Sequence, residues 1–278
     1  LGLVTHRVDV YGADHSPWVQ AVLLGLHDAR ISHSLTSLPP LATFLKSGVM
    51  MPAASIDDGP WELESADILR RVGFETITEE QMRLVRKAWQ GVTHRTDSTA
   101  HFLGGFSLAG DRHPSLVRRL ANNFLRSFVA LYFFLLIRTV VLLGRPQDPE
   151  DFGDQFLPFE EMLEASDTPF LSGASPKTLD FLLFGIIQCH GSIYVPPVTA
   201  LQTDPRLRKV RTWIGAMQER YRDYDHLYFG AYFAPHSSPP VWASPLERTL
   251  FWLGAAFMIA MFPITVPLVA FLAIRNWK

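Results

Sequence analysis

The sequence predicts a small α/β domain, then an all-helical domain, then one C-terminal helix long enough to cross a membrane. Three observations carry that expectation. Between His6 and Ser65, short strand-like runs alternate with turn signals around one well-marked helix start. From Thr78 onward, apolar residues recur at three- and four-residue spacing, the period of an amphipathic helix. From Thr249 to Ile274 the chain holds no Asp, Glu, Lys, Arg or His. The expected divisions are residues 1–72 for the α/β domain, 78–232 for the helical domain, 233–245 for a Pro-rich linker and 246–275 for the membrane helix.

Arg7 to Tyr11 reads as a strand feeding the polar loop Gly12 to His15. Ser16 then stands at an N-cap position and Pro17 at the first helical position, ahead of the apolar-periodic segment Trp18 to Leu26. A Ser hydroxyl there can accept an orphan backbone N–H, and the donor that Pro lacks is not needed in the first turn. The free N–H groups and dipole of such a tip favour an anion and would shift a bound thiol toward thiolate. Ile31 to Leu38 alternates like a second strand. Gly48 to Pro52 is a loop whose Pro opens a third strand, Ala53 to Ile56. Asp57-Asp58-Gly59-Pro60 is a turn, Trp61 to Leu63 a short fourth strand, and Glu64-Ser65 the start of another helix.

In these features the chain resembles the glutathione transferase superfamily. The resemblance rests on Ser16-Pro17 at the first helix start, Pro52 after the Gly48 loop, and the Glu64-Ser65 pair opening a helix after a hairpin, all in the right order. It implies a thioredoxin-like β-α-β-α-β-β-α domain, an all-α second domain, and a site for glutathione, γ-Glu-Cys-Gly, as co-substrate. Ser16 would be the catalytic residue, its hydroxyl donating to the glutathione sulfur. A free thiol with a pKa near 8.5 is only a few per cent ionised at neutral pH, so lowering it by about a unit or two yields a useful nucleophile. Ser cannot form a mixed disulfide, which argues for conjugation or thiolysis over glutaredoxin-like reduction. Pro52 would be the family's cis-proline, with Met51 offering backbone groups to the middle residue of the peptide. Glu64 would take the γ-glutamyl ammonium, and Ser65 its carboxylate. Lys46 or His33 is the candidate for the glycyl carboxylate. Plainer readings remain open beside these: Ser16 as an N-cap alone, and Glu64-Ser65 as an acidic first turn. Tyr11 is expected to be strand packing.

In the second domain, Thr78 caps a helix through Gly91 and on toward Phe102, with Met82, Val85, Ala88, Trp89 and Val92 on one side. A further helix runs from Ser115 to Leu143. Its apolar part, Phe128 to Leu143, carries Arg138, which would cost roughly 2.5–3.5 kcal/mol at mid-bilayer, so a central buried helix is expected rather than a second span. A third option lays one apolar side of this domain on the membrane. Phe170-Leu171-Ser172-Gly173, with Pro176, Asp180, Leu183 and Phe184 after it, resembles the buried helix of the family's second domain. Lys177 stands where the family caps with Ser or Thr, so Ser175 is expected to cap a shifted start and Asp180 to have a structural role. Tyr194 to Pro205 reads as an irregular insert, and Leu207 to Tyr221 as a helix. The acceptor site implied by the resemblance would draw on Trp89, His94, Phe102, Phe106 and residues near Phe124, suiting an apolar electrophile.

A net charge of −2 offers no field to gather nucleic acid, which excludes that partner class. The single cysteine, Cys189, excludes an internal disulfide framework and reads as a small buried residue. The ten histidines form no HxxxH or HxH pair, so no metal site is expected. The uncharged run 249–274 would extend roughly 39 Å as a helix, against about 30 Å of hydrocarbon. Trp252 and Trp277 lie toward its ends, and Arg248, Arg275 and Lys278 flank it. The expected localisation is therefore a single-pass membrane protein with its body on the cytosol-like side. Two functions fit: a membrane-anchored transferase using glutathione, or a non-catalytic accessory subunit of a membrane complex, in the manner of metaxin-like proteins.

Overall fold

Strand β1 (Arg7–Tyr11) pairs in parallel with β2 (Ser32–Thr36) and antiparallel with β3 (Ala53–Ile56), which pairs antiparallel with β4 (Glu62–Leu63). The sheet order is thus β2-β1-β3-β4. These details come from a computed structural model that describes residues 7–48, 50–89, 99–111, 113–144, 151–192, 196–226 and 241–276. Helix α1 (Pro17–Asp28) makes the β1–β2 crossover, α2 (Leu41–Ser47) joins β2 to β3, and α3 (Ser65–Arg71) follows the hairpin. This is the thioredoxin-like β-α-β-α-β-β-α order. The resemblance implied α2, but its residues were not read as a helix: seven positions behind Pro39-Pro40 are too few to establish a period.

Alternation explains β1, where Val8 and Val10 are fully buried. α1 is buried nearly all round, from Val19 to Leu26, because it lies between the sheet and the second domain. Its closest neighbour there is α8 (Thr178–Ser192). A side chain at Gly185 would overlap the carbonyl of Pro17, so a residue without Cβ is what lets the two helices approach this closely.

The second domain contains α4 (Glu79–Ala88), α5 (Thr99–Leu108), α6 (Leu116–Gly144), a 3-10 turn (Asp154–Phe156), α7 (Leu157–Glu164), α8, α9 (Pro196–Thr203) and α10 (Arg208–Arg220). Thr78 caps α4 as expected, and Gln81 caps it reciprocally. The core is centred on α8, where Phe181, Leu182, Leu183, Phe184, Ile186 and Ile187 are all fully buried. Asp180 closes the start of α8 by accepting from the backbone N–H groups of Leu171 (2.8 Å), Ser172 (3.1 Å) and Lys177 (3.2 Å) and from Trp213 Nε1 (2.8 Å). Four donors hold the carboxylate, although its burial raises the pKa above the ordinary value. Two expectations are corrected here. The helix start is not shifted to Ser175, since Phe181 N–H donates to the Lys177 carbonyl and Asp180 supplies the cap. The expected irregular insert contains α9, with Pro196 and Pro197 in its first turn, where Pro is tolerated.

The last helix, α11 (Pro245–Asn276), contains a stretch, Pro245–Leu268, long and apolar enough to cross a membrane, and only 17% of the assessed window is buried. Its first turns nonetheless belong to the body. Glu247 pairs with Arg119 on α6 at 3.1 Å, and Phe251 and Ala255 are buried. The described end of the expected linker is also docked: Gly110 N–H donates to the Val241 carbonyl and Ala243 N–H to that of Leu108. The expected linker residues 233–240 lie outside the described residues.

Candidate functional site

Residues far apart in sequence meet at one cleft of ≈ 200 Å³, lined by Trp18, Met50, Met51, Pro52, Leu63, Glu64, Ser65, Met82 and Arg86. Four elements build it. α1 contributes Trp18; the loop before β3 contributes Met50, Met51 and Pro52; the β4–α3 junction contributes Leu63, Glu64 and Ser65; α4 contributes Met82 and Arg86. The Met51–Pro52 peptide bond is cis. Glu64 occupies the left-handed region at φ 74°, where a side chain is strained, and such strain is found where the fold holds a side chain for a purpose. Among the described residues, neither the Glu64 carboxylate nor the Arg86 guanidinium has an ion-pair partner, so the cleft presents one uncommitted charge of each sign.

Met51, Pro52, Glu64 and Ser65 all line the cleft; Ser16 does not. Ser16 is the N-cap of α1, but its hydroxyl makes no cap hydrogen bond. It is only 6% exposed and has no hydrogen-bond partner among the described residues. Met51 links the two places. It lines the cleft, and its sulfur also accepts the Ala13 N–H at 3.3 Å in the loop leading to Ser16.

Beside Ser16 the interior is aromatic. His15 packs edge-on to Phe106, with ring centroids 5.2 Å apart. Burial holds the His15 imidazole down to about 4, against a smaller opposing effect of Asp14, with Arg126 and His226 adding to the depression. Tyr11 is buried as expected, and burial, followed by Tyr132, raises its phenol well above the ordinary value. Trp89 packs on Trp18 (6.4 Å) and on Phe133 of α6 (5.9 Å). The inter-domain wedge expected to hold an apolar acceptor is thus filled at Trp89 and Phe106 by the protein's own rings. Phe124 faces Phe257 of α11, and His94 and the Phe102 side chain lie outside what is described. Cys189 is buried, and burial pushes its thiol up to about 12.

The two residues suggested for the glycyl carboxylate lie away from this cleft, and a different cation lines it. His33 meets the Ile31 carbonyl at 2.8 Å, and neither it nor Lys46 lines the cleft; Arg86 does. Little in the sequence marks it out. Arg86 lies on the polar side of an amphipathic helix, and only the docking of α4 on the first domain brings it to the cleft. A larger concavity, ≈ 450 Å³, runs along α11 from Pro245 to Leu253, but residues of that single helix alone line it, Arg248 and Thr249 among them.

A thioredoxin-like sheet with a cis-proline, joined to an all-helical domain that packs on its first helix, is the architecture of the glutathione transferase fold. Solved structures of that class are similar to this chain. A glutathione S-transferase from Pseudomonas fluorescens is 16% identical, covers 79% of this chain and 96% of its own, and gives a TM-score of 0.40. A theta-class enzyme from Xanthomonas axonopodis pv. citri, solved with glutathione bound, is 16% identical over 79% of this chain and 94% of its own, with a TM-score of 0.40. A Bombyx mori glutathione transferase is 12% identical over 90% and 97%, with a TM-score of 0.43. No protein-family model and no curated protein sequence matches the chain.

Proposed function

We propose that this chain is a membrane-anchored, glutathione transferase-like protein that holds glutathione in the cleft described above. The observation that carries the reading is the convergence of Met51, Pro52, Glu64 and Ser65 with Arg86 on that cleft. A γ-glutamyl end carries an ammonium and a carboxylate on one carbon. Glu64 takes the ammonium, while the Ser65 hydroxyl and Arg86 take the carboxylate. Met51 offers main-chain groups to the middle residue. That arrangement directs the sulfur toward the tip of α1, where the Ser16 hydroxyl has no competing internal partner among the described residues. Ser16 then acts as the thiolate-stabilising donor for attack on an apolar electrophile, once the Met51 side chain moves off Ala13. α11 holds the protein in a bilayer through residues 249–274, with the body on the cytosol-like side.

A second reading, a glutathione-binding accessory or structural subunit of a membrane complex, is favoured by one observation: Ser16 is covered and the neighbouring wedge is filled. Calorimetry on the full chain in detergent separates the two. Glutathione binding, together with a thiol pKa that rises when Ser16→Ala is made, supports the enzyme. Binding with an unshifted thiol supports the accessory role. No binding at millimolar glutathione overturns the occupant of the cleft.

A further inference from the structure

We propose that the protein rests on the lipid surface through α2, so that the mouth of the cleft opens against the bilayer. This goes beyond the anchor and rests on α11 being the membrane helix. The residues that lead to it are not part of the thiol chemistry.

The apolar surface lies beside α11. α2 packs against α11, yet Leu38 (55% exposed), Leu41 (72%) and Leu45 (47%) point to solvent, and Met50 on the lip of the cleft is 60% exposed. From Ile31 to Ile56 the chain has no acidic residue, and Lys46 is its only Lys or Arg. A surface without carboxylates, rich in exposed Leu and Met and carrying one Lys able to reach upward along its stem, suits a headgroup layer that is often anionic.

A second observation ties this face to the anchor. The helix against which α2 packs, α11, exposes Leu253, Ile259, Ile264 and Leu268, so the leucines of α2 stand beside an apolar helix surface. α2 and the lip of the cleft then lie at the interface beside α11. An apolar reactant dissolved in the bilayer would then reach the cleft without crossing water.

The test uses the full chain in anionic phosphatidylcholine–phosphatidylserine vesicles, with an environment-sensitive label on single introduced cysteines. Buried Cys189 stays unlabelled under native conditions. Labels at Leu41→Cys and Leu45→Cys should shift to the blue and be quenched by nitroxide lipids but not by aqueous iodide, with a label at Glu161→Cys on α7 as the aqueous reference. Leu41→Glu combined with Leu45→Glu should return a label at Leu38→Cys to water while a label at Phe271→Cys stays lipid-quenched. If the Leu41 and Leu45 labels behave like the Glu161 label while Phe271 is lipid-quenched, this proposal falls and the anchor stands. If Phe271 is also aqueous, both fall. Labels at Leu41 and Leu45 shielded from both quenchers would mean a protein covers α2, which also overturns the proposal.

Discussion

The two sides of the α1 tip differ in what they do with polar groups. On the cleft side, Glu64 and Arg86 stand at an open surface with no ion-pair partner among the described residues, and Glu64 keeps a strained backbone. On the other side, Ser16, His15 and Tyr11 are buried, with His15 against Phe106. Buried polar groups are costly unless they are satisfied, whereas charges at an open cleft cost little until a ligand arrives. The difference implies that binding and chemistry are separable here. On the proposed reading, the cleft would grip the peptide while the group proposed to act on its sulfur stays buried.

That separation predicts a double dissociation, and the largest effect belongs on the wedge side. Trp89→Ala removes an aromatic that bridges two domains and should lower stability by about 3 kcal/mol, read as the urea midpoint, while glutathione affinity stays within about threefold. Glu64→Ala should do the reverse. The loss of a charge-assisted bond of about 2 kcal/mol weakens glutathione binding by roughly 30-fold by calorimetry, with the urea midpoint unmoved. Comparable losses of both quantities in either variant would break the comparison.

Acid provides a third test, specific to the wedge. His15 has a folded pKa of about 4 against an ordinary 6.5, so the unfolded chain binds its proton more tightly. Stability from this group is full above about pH 6.5 and is lost as pH falls toward 4, on the order of a few kcal/mol in total. His190, buried and held near 3 by the same cause, adds to the slope, so His15→Phe should flatten the fall in urea midpoint between pH 6.5 and 4 without abolishing it. The smallest effect concerns Ser16. An N-cap Ser→Ala change usually costs about 1 kcal/mol, but this hydroxyl makes no cap bond, so Ser16→Ala should be neutral or slightly stabilising in the absence of ligand. A loss of a full kcal/mol would mean the hydroxyl is already engaged.

Much of the fold was legible because its signals are local. Val8 and Val10 alternate, Pro17 sits at a first helical position, Thr78 offers a cap, and Asp180 lies at a helix start. The helices α2 and α9 were not read directly, since both are short and open behind prolines that look like loop punctuation. In the candidate site, the pieces on the first domain could be picked out from sequence. Arg86 could not, because its place depends on how α4 docks. The burial of Ser16 was equally illegible: its neighbours in sequence, Ala13, His15 and Trp18, meet Met51, Phe106 and Trp89 from three separate segments.

Gly254 carries a consequence for how force travels through this molecule. A methyl group there would press on the Phe124 carbonyl at 2.6 Å and on the Ser127 hydroxyl, so α11 and α6 are in backbone contact. The C-terminal helix is accordingly a wall of the body, and cutting the chain before Pro245 would uncover Phe124 and Phe128. A displacement of α11 presses through that seam on α6, and through Phe133 on Trp89 and Trp18.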